Sequence, residues 1–373
     1  MKTPLHSILR KKLRSALHFI ISKLSKKSLD EIVEDKIDID EIKTIIIIRP
    51  NYRIGNIIFL TPLLNELEKI LPNAKIDIIV GMKLAGDILE EMPNVGKVID
   101  IPRKLLLHPI DLYRFIKSSR AKKYDLAINI TAGSVSSEIV ISLINSQYSV
   151  SFQSENSFIT PSYIVQYEGL YRHAGSQALE FLKLFGTTLP KDDIELDIKL
   201  TDEEREIAQK DFDKLIEDNK VSKENITIAL FRNARFDKKI SDNWWNEWHK
   251  ELLNLDSAIT IIDILSPDIE SRLNENCLEY SNKNLRVLGA FFASCDTYIS
   301  ADTGPLHLSS ASGAKTIGLF NQTEIEVFGT LGEHNKNIEI NNLTPKYIAK
   351  LCYAQLSEPE DIDESEEEIE EEF

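Results

Sequence analysis

The chain's 373 residues suffice for two domains, and its 42% apolar and 28% charged residues are the proportions of a water-soluble globular protein. No apolar run approaches the ~20 residues needed to cross a bilayer, and the basic N-terminus leads into an interrupted amphipathic segment rather than a signal peptide. A net charge of −16 argues against nucleic acid as partner, and three scattered cysteines (Cys277, Cys295, Cys352) read as buried thiols of a cytoplasmic chain, without metal-ligand spacing.

The charge is uneven. Residues 1–29 carry eight basic and no acidic residues, and residues 357–373 carry eleven acidic and no basic ones. Leu5, Ile8, Leu9, Leu13, Leu17, Phe19, Ile20, Ile21 and Leu24 recur at roughly helical spacing. Residues 1–28 therefore read as a basic helix lying on the inner face of the cytoplasmic membrane, as a helix packed on the body, or as a frayed extension. With the acidic linker that follows, residues 1–43 form an extension, and residues 357–373 read as a disordered acidic tail.

A first domain is expected over residues 44–195. The run at 45–48, four isoleucines, marks a strand buried on both faces of a parallel sheet. The loop Arg49–Asn56 follows, then a helix over Ile57–Ile70 with Pro62 in its first turns or kinking it. Lys75–Val80, Val98–Ile101 and Leu126–Ile130 are further strands. Between the last two lies a basic helical stretch with Arg103, Lys104, His108, Arg114, Lys117, Arg120, Lys122 and Lys123, either a solvated face or an anion-binding patch. Thr131, Ala132 and Gly133 end a strand, facing the expected cleft. In YRHAGSQALEFLKLFG, His173 opens a helix and reads as structural.

The second domain, residues 196–356, begins with a helix over Thr201–Asn219, capped by Thr201 with Glu204 three residues on. Ile226–Phe231 and Ile259–Leu265 are strands. The loop RNARFDKKISDNWW places Lys238 where an ammonium could meet phosphate, with an exposed lysine as the alternative. Trp244, Trp245 and Trp248 have core spacing. Asp268, in the segment Ser266-Pro267-Asp268 that ends the second of these strands, could cap a helix. Leu285–Leu288 and Phe291–Cys295 lead to the next strand, and Thr344–Leu356 is a closing helix.

Residues 297–320, TYISADTGPLHLSSASGAKTIGLF, read as strand, turn, helix, strand. Asp302-Thr303-Gly304-Pro305 is turn chemistry, and Pro305 suits a first helical position. A helix N-terminus at a strand end presents free N–H groups that suit a phosphate, although many α/β proteins carry such a turn for structure alone. Thr303 adds a hydroxyl, Gly304 permits close approach, and His307 lies in the first turn.

DTGPLHLSSASG followed by a strand and Asn321-Gln322-Thr323, and the run IIIIRPNYRIGNIIFLTPLLNELEKILPNAKIDIIVG, resemble glycosyltransferase family 9, the lipopolysaccharide heptosyltransferases. The segments YDLAINITAGSVSSEIVISLINSQYSVSF and YRHAGSQALEFLKLFG extend the resemblance over about residues 44–350. It implies an α/β GT-B fold: two Rossmann-like domains with parallel sheets facing a cleft, donor on the C-terminal one, acceptor on the N-terminal one. The closing helix would cross toward the first domain. The implied reaction is metal-independent, inverting transfer of a sugar, heptose from ADP-heptose, to a lipid-linked lipopolysaccharide or lipooligosaccharide core, with the nucleotide sugar as co-substrate and no cofactor.

The resemblance puts Lys238 on the nucleotide phosphates and Asp302, Thr303, Gly304, Pro305, Leu306, His307, Asn233 and Asp268 around the donor. Arg53, Gly55, Arg114, Lys117 and Arg120 would meet an anionic acceptor. Three departures stand out: Ile240-Ser241 for Trp-Pro, Asn321-Gln322 for Gly-Pro, and Asn56 where the family has the aspartate proposed as general base. An amide can position a hydroxyl but cannot take its proton. A non-catalytic sugar-nucleotide or glycan-binding relative therefore stays open, as does another GT-B enzyme such as a sugar-nucleotide epimerase.

Overall fold

A computed structural model describes residues 37–357, apart from 103–104, 106–108, 132, 154–160 and 192. The expectations for the basic N-terminal segment to residue 36 and for the acidic tail from residue 358 lie outside the described residues, as do Arg103, Lys104, His108 and Ala132.

Two six-stranded sheets carry the fold, and all their strand pairs are parallel. The first holds β1 (Thr44–Arg49), β2 (Lys75–Val80), β3 (Val95–Asp100), β4 (Tyr124–Asn129), β5 (Ser146–Phe152) and β6 (Tyr163–Val165), in the order β3-β2-β1-β4-β5-β6. The second holds β7 (Ile226–Phe231), β8 (Ile259–Ile264), β9 (Leu278–Tyr280), β10 (Thr297–Ala301), β11 (Thr316–Phe320) and β12 (Lys336–Glu339), in the order β12-β11-β10-β7-β8-β9. Each sheet grows outward one way and then the other, so strand order reverses between β1 and β4 and between β7 and β10. In open α/β sheets such a reversal leaves a crevice at the carboxyl ends of the two central strands, where ligands bind.

The helices of the first domain are α1 (Ile54–Ile58), α2 (Thr61–Ile70), α3 (Leu84–Leu89), α4 (Pro109–Ala121) and α5 (Val135–Leu143). The single helix expected over 57–70 is thus two. Pro62 lacks an N–H and occupies the first turn of α2, where none is needed, so the chain breaks at Phe59–Leu60 and restarts. The stretch expected as a helix behind His173 is a 3-10 helix, Gln177–Phe185, ended by Gly186 in the left-handed region at φ 66°.

The second domain carries α6 (Asp202–Asp218), α7 (Asp242–Leu255), α8 (Leu285–Ser294), α9 (Gly304–Ala311), α10 (Ile325–Phe328) and α11 (Pro345–Ser357). Both bonds of the Thr201–Glu204 capping box form. The two pieces at 285–295 form one helix, capped by the Asn284 side chain on the amides of Arg286 and Val287. The closing helix α11 packs Ile348, Ala349 and Cys352 with Trp245, Trp248 and Leu252 of α7, so its buried face belongs to the second domain rather than the first. Trp245 and Trp248 are fully buried, and all three cysteines are buried and free.

One apolar cluster runs from Ile45 and Ile47 of β1 through Leu63 of α2 to Leu288 of α8 and Leu306 of α9, joining the domains. A second, on the other face of the first sheet, joins Ile46, Ile48 and Ile79 to Phe115 of α4 and Ile139 of α5. Arg286 locks the junction. Its buried guanidinium takes Glu204 through Nε and Nη2 (2.5 and 2.9 Å), the Ile88 carbonyl of α3 (3.0 Å), and the Ile198 and Lys199 carbonyls of the connection (both 2.8 Å).

Candidate functional site: a cradle at the groove between the domains

The end of β10 turns into α9 through two residues. Asp302 is buried, and Thr303 is extended (φ −145°, ψ 172°), so the chain enters α9 with the first-turn amides unpaired by the helix. Thr303 makes no capping bond, which leaves its hydroxyl for another partner. Thr303 Oγ1 and His307 Nδ1 are buried without a hydrogen-bond partner among the described residues. Unpaired buried polar atoms are costly, so two beside open helix-end amides mark a place where a ligand supplies the missing partners.

Asp302 gathers the surrounding chain. It pairs with Lys238, which follows β7, accepts from Thr323 Oγ1 at 2.5 Å, and faces His307 Nε2 at 3.5 Å. Burial alone would raise its pKa, but the hydrogen bonds from His307, Lys238 and Thr323 outweigh burial and hold it at about 2. Asp302 faces His307 through Nε2, which leaves Nδ1 as the ring nitrogen open to a ligand. Asn321 steadies the lysine loop through the Asp237 carbonyl (3.2 Å). Lys238 has three donors and spends one on Asp302, so the others are open to an incoming anion.

The cradle opens on the first domain. A Cβ on Gly304 would lie 3.2 Å from Ile54 Cβ, and one on Gly55 would lie 2.6 Å from His307 Cδ2. Glycine at both positions lets α1 and α9, from opposite domains, meet end to end. Gly55 and Asn56 lie in α1, and Arg53 is its N-cap residue. Arg49 at the end of β1 reaches the Asn56 carbonyl through Nε at 3.3 Å, and burial pushes its guanidinium down to about 10.

His173 closes the back of the groove. It accepts from the Gly175 amide at Nδ1 (3.1 Å), so it must donate from Nε2 to the Gly329 carbonyl (2.8 Å). Its ring is edge-on to Phe59, as is that of His307. With both nitrogens engaged it is a structural tie, and burial lowers its pKa to about 4. Between pH 6.5 and about 4 the unfolded chain takes up a proton here that the folded chain refuses. The stabilisation is complete above pH 6.5 and is lost as pH falls through that window, by at most ~3 kcal/mol. Melting temperatures recorded from pH 7 to 4 should fall more steeply for wild type than for His173→Gln; parallel curves would remove this role.

The sequence profile of glycosyltransferase family 9 (heptosyltransferase) matches residues 112–355, more than half of the chain. The chain belongs to glycosyltransferase family 9. Solved structures agree on the fold. A family 9 glycosyltransferase from Veillonella parvula superposes with a TM-score of 0.70 at 17% identity, covering 86% of this chain and 98% of that one. Escherichia coli heptosyltransferase WaaC with ADP gives 0.65 at 20% identity, covering 84% and 99%. Escherichia coli ADP-heptose lipopolysaccharide heptosyltransferase II gives 0.62 at 16% identity, covering 83% and 98%. No curated protein sequence matches the chain. The two-sheet architecture is the GT-B fold of this family.

Against the family pattern, Asp302, Thr303, Gly304, Pro305, Leu306, His307 and Lys238 come together with Gly55 and Asn56 at one groove. Asn233, half-buried, and Asp268, exposed, follow the carboxyl ends of β7 and β8 on the same edge of the second sheet. Among the described residues no helix begins at Asp268, so it is not a cap. Arg114, Lys117 and Arg120 are not brought together with Arg53 and Gly55: α4 packs on the face of the first sheet turned away from the second domain. Lys122 is spent on Asp77 at 2.7 Å. Two contributors carry no role in the sequence reading. Thr323 ends the segment Asn321-Gln322-Thr323 and could have been found there; Arg49 stands in the quoted run, but its burial is invisible in sequence.

Proposed function

We propose that this chain is an inverting glycosyltransferase that moves heptose from ADP-heptose to the core of a lipid-linked lipopolysaccharide or lipooligosaccharide. The observation that carries the reading is the Thr303–His307 cradle with two unpartnered polar atoms, set beside the Lys238–Asp302 pair and opening on Gly55 of the other domain. The donor's diphosphate would take the amides of α9, the Thr303 hydroxyl and the free donors of Lys238. These groups supply the positive charge that the departing nucleoside diphosphate needs, so no bound metal is called for. The acceptor would lie on the first domain against Arg53 and Gly55. Its hydroxyl oxygen forms the new bond to the anomeric carbon from the face opposite the diphosphate, the carbon–oxygen bond to the diphosphate breaks, and the hydroxyl proton leaves to solvent or a base.

Asn56 holds the hydroxyl without accepting that proton, which favours a slow enzyme or a relative that only binds. Titration with ADP- and UDP-sugars by thermal shift, followed by mass spectrometry of a core acceptor, tests the reading; no shift with any nucleotide sugar would sink it. Asn56→Asp restores a base, worth ~10²–10⁴ in rate. The expected outcome is a higher turnover number with little change in donor affinity. A wild type that binds donor and never transfers, beside an active Asn56→Asp, would establish the binding-only alternative.

A further inference from the structure

Helix α4 presents an outer face with two exposed apolar side chains. Its inner side is set by Leu112, Phe115 and Ile116, which pack on Ile46, Ile48 and Ile79 of the first sheet. Its outer side carries Ile110 and Tyr113, each 67% exposed, the two most exposed large apolar side chains among the described residues. Positions 110, 113, 114, 117 and 121 follow the spacing of one helical stripe. Arg114 and Lys117 therefore stand beside the apolar pair, with Arg120 on the same side one turn further on, all exposed. Asp111 is the one acid of α4, and it meets Arg114 only at 3.7 Å, with the arginine side chain 76% exposed. In a chain of net charge −16, a basic stripe around two bare apolar side chains is not a random sample of the surface.

Position adds to chemistry. Helix α4 joins β3 to β4 in a parallel unit, so it runs antiparallel to the strands. Its first turns, with Ile110, Tyr113 and Arg114, lie toward the carboxyl edge of the sheet that also carries Gly55. The two apolar side chains are too few for the apolar centre of a stable protein interface, which buries on the order of 1,000 Å² or more. Shallow apolar insertion combined with cationic side chains is what an anionic bilayer surface rewards.

We propose that the outer face of α4 is a peripheral membrane contact: Ile110 and Tyr113 enter the headgroup–acyl boundary while Arg114 and Lys117 meet anionic phospholipid headgroups. The contact holds the mouth of the groove beside the lipid surface, whatever sugar the groove transfers.

Co-sedimentation of the full chain with phosphatidylcholine vesicles, with and without phosphatidylglycerol, tests it. Binding is expected only with phosphatidylglycerol and should weaken with salt. Arg114→Gln with Lys117→Gln should reduce vesicle affinity roughly five-fold per charge removed. Ile110→Ser with Tyr113→Ser should also reduce it, at unchanged melting temperature. Wild type that stays in solution overturns the proposal. So do variants that bind as tightly as wild type, the result expected if residues 1–28 alone hold the chain to lipid. So does salt-sensitive binding to a soluble polyanion such as heparin that survives Ile110→Ser with Tyr113→Ser while vesicle binding is absent. The affinity of the same protein for ADP is read separately, so the fate of the transferase reading does not depend on the vesicle result.

Discussion

Replacing Lys238 with alanine is expected to weaken ADP binding by roughly a hundred-fold and transfer by ~10²–10³-fold. The reason is the charge left behind. Lys238 offsets Asp302, a carboxylate that is 7% exposed and that its hydrogen bonds keep ionised at every pH above about 2. Without the ammonium, a buried negative charge stands beside the amides meant for a diphosphate. At a separation of ~5 Å and an effective dielectric of ~20, one unlike or like charge changes the interaction by ~3 kcal/mol. The check is calorimetric titration with ADP, with Asp302→Asn added to the variant. Removing both charges should restore part of the affinity, because the repulsion disappears with the carboxylate. An unchanged ADP affinity in Lys238→Ala would take the lysine out of the site.

The largest expected loss of stability is at Arg286, not in the apolar core. All five of its N–H groups are used, and its partners come from α3, the connection between domains, and α6. Truncation to alanine strands three carbonyls and leaves Glu204 without its cation, although the Thr201 amide still donates to it (2.8 Å). Burial would then push the Glu204 carboxyl upward, where Arg286 now holds it below the usual range. Breaking a buried pair of this kind costs ~3–5 kcal/mol, or roughly five degrees in melting temperature for a chain of this size. Arg286→Lys should recover only part of the loss, since an ammonium cannot reach four partners in the planar fork. Urea unfolding followed by tryptophan fluorescence measures both; a melting temperature within two degrees or so of wild type would show that the junction is held elsewhere.

Local pattern carried much of the architecture. The isoleucine run of β1 and KIDIIV of β2 are legible because a strand covered on both faces needs unbroken β-branched residues, and that need is local. The capping box at Thr201 and Glu204 is legible because both partners lie within one turn. The same locality explains the misreadings. Apolar spacing alone did not distinguish the 3-10 helix Gln177–Phe185 from an α-helix, nor show that α8 is one helix, because both depend on what the segment packs against.

The chain in one dimension determines the turn Asp302-Thr303-Gly304-Pro305, the open amides after it, and the absence of a basic side chain at position 56. It does not determine who answers Asp302. Lys238 lies 64 positions away and Thr323 lies 21 away, and they converge because strand order reverses between β7 and β10. Nor could it say that Gly55 touches His307 across the groove, that Arg286 binds both domains, or that the basic helix turns outward. Caps, turns and periods are settled by neighbours a few bonds away. The pairing of buried charges and the meeting of helix ends are settled by which strands lie side by side, and only the folded chain contains that information.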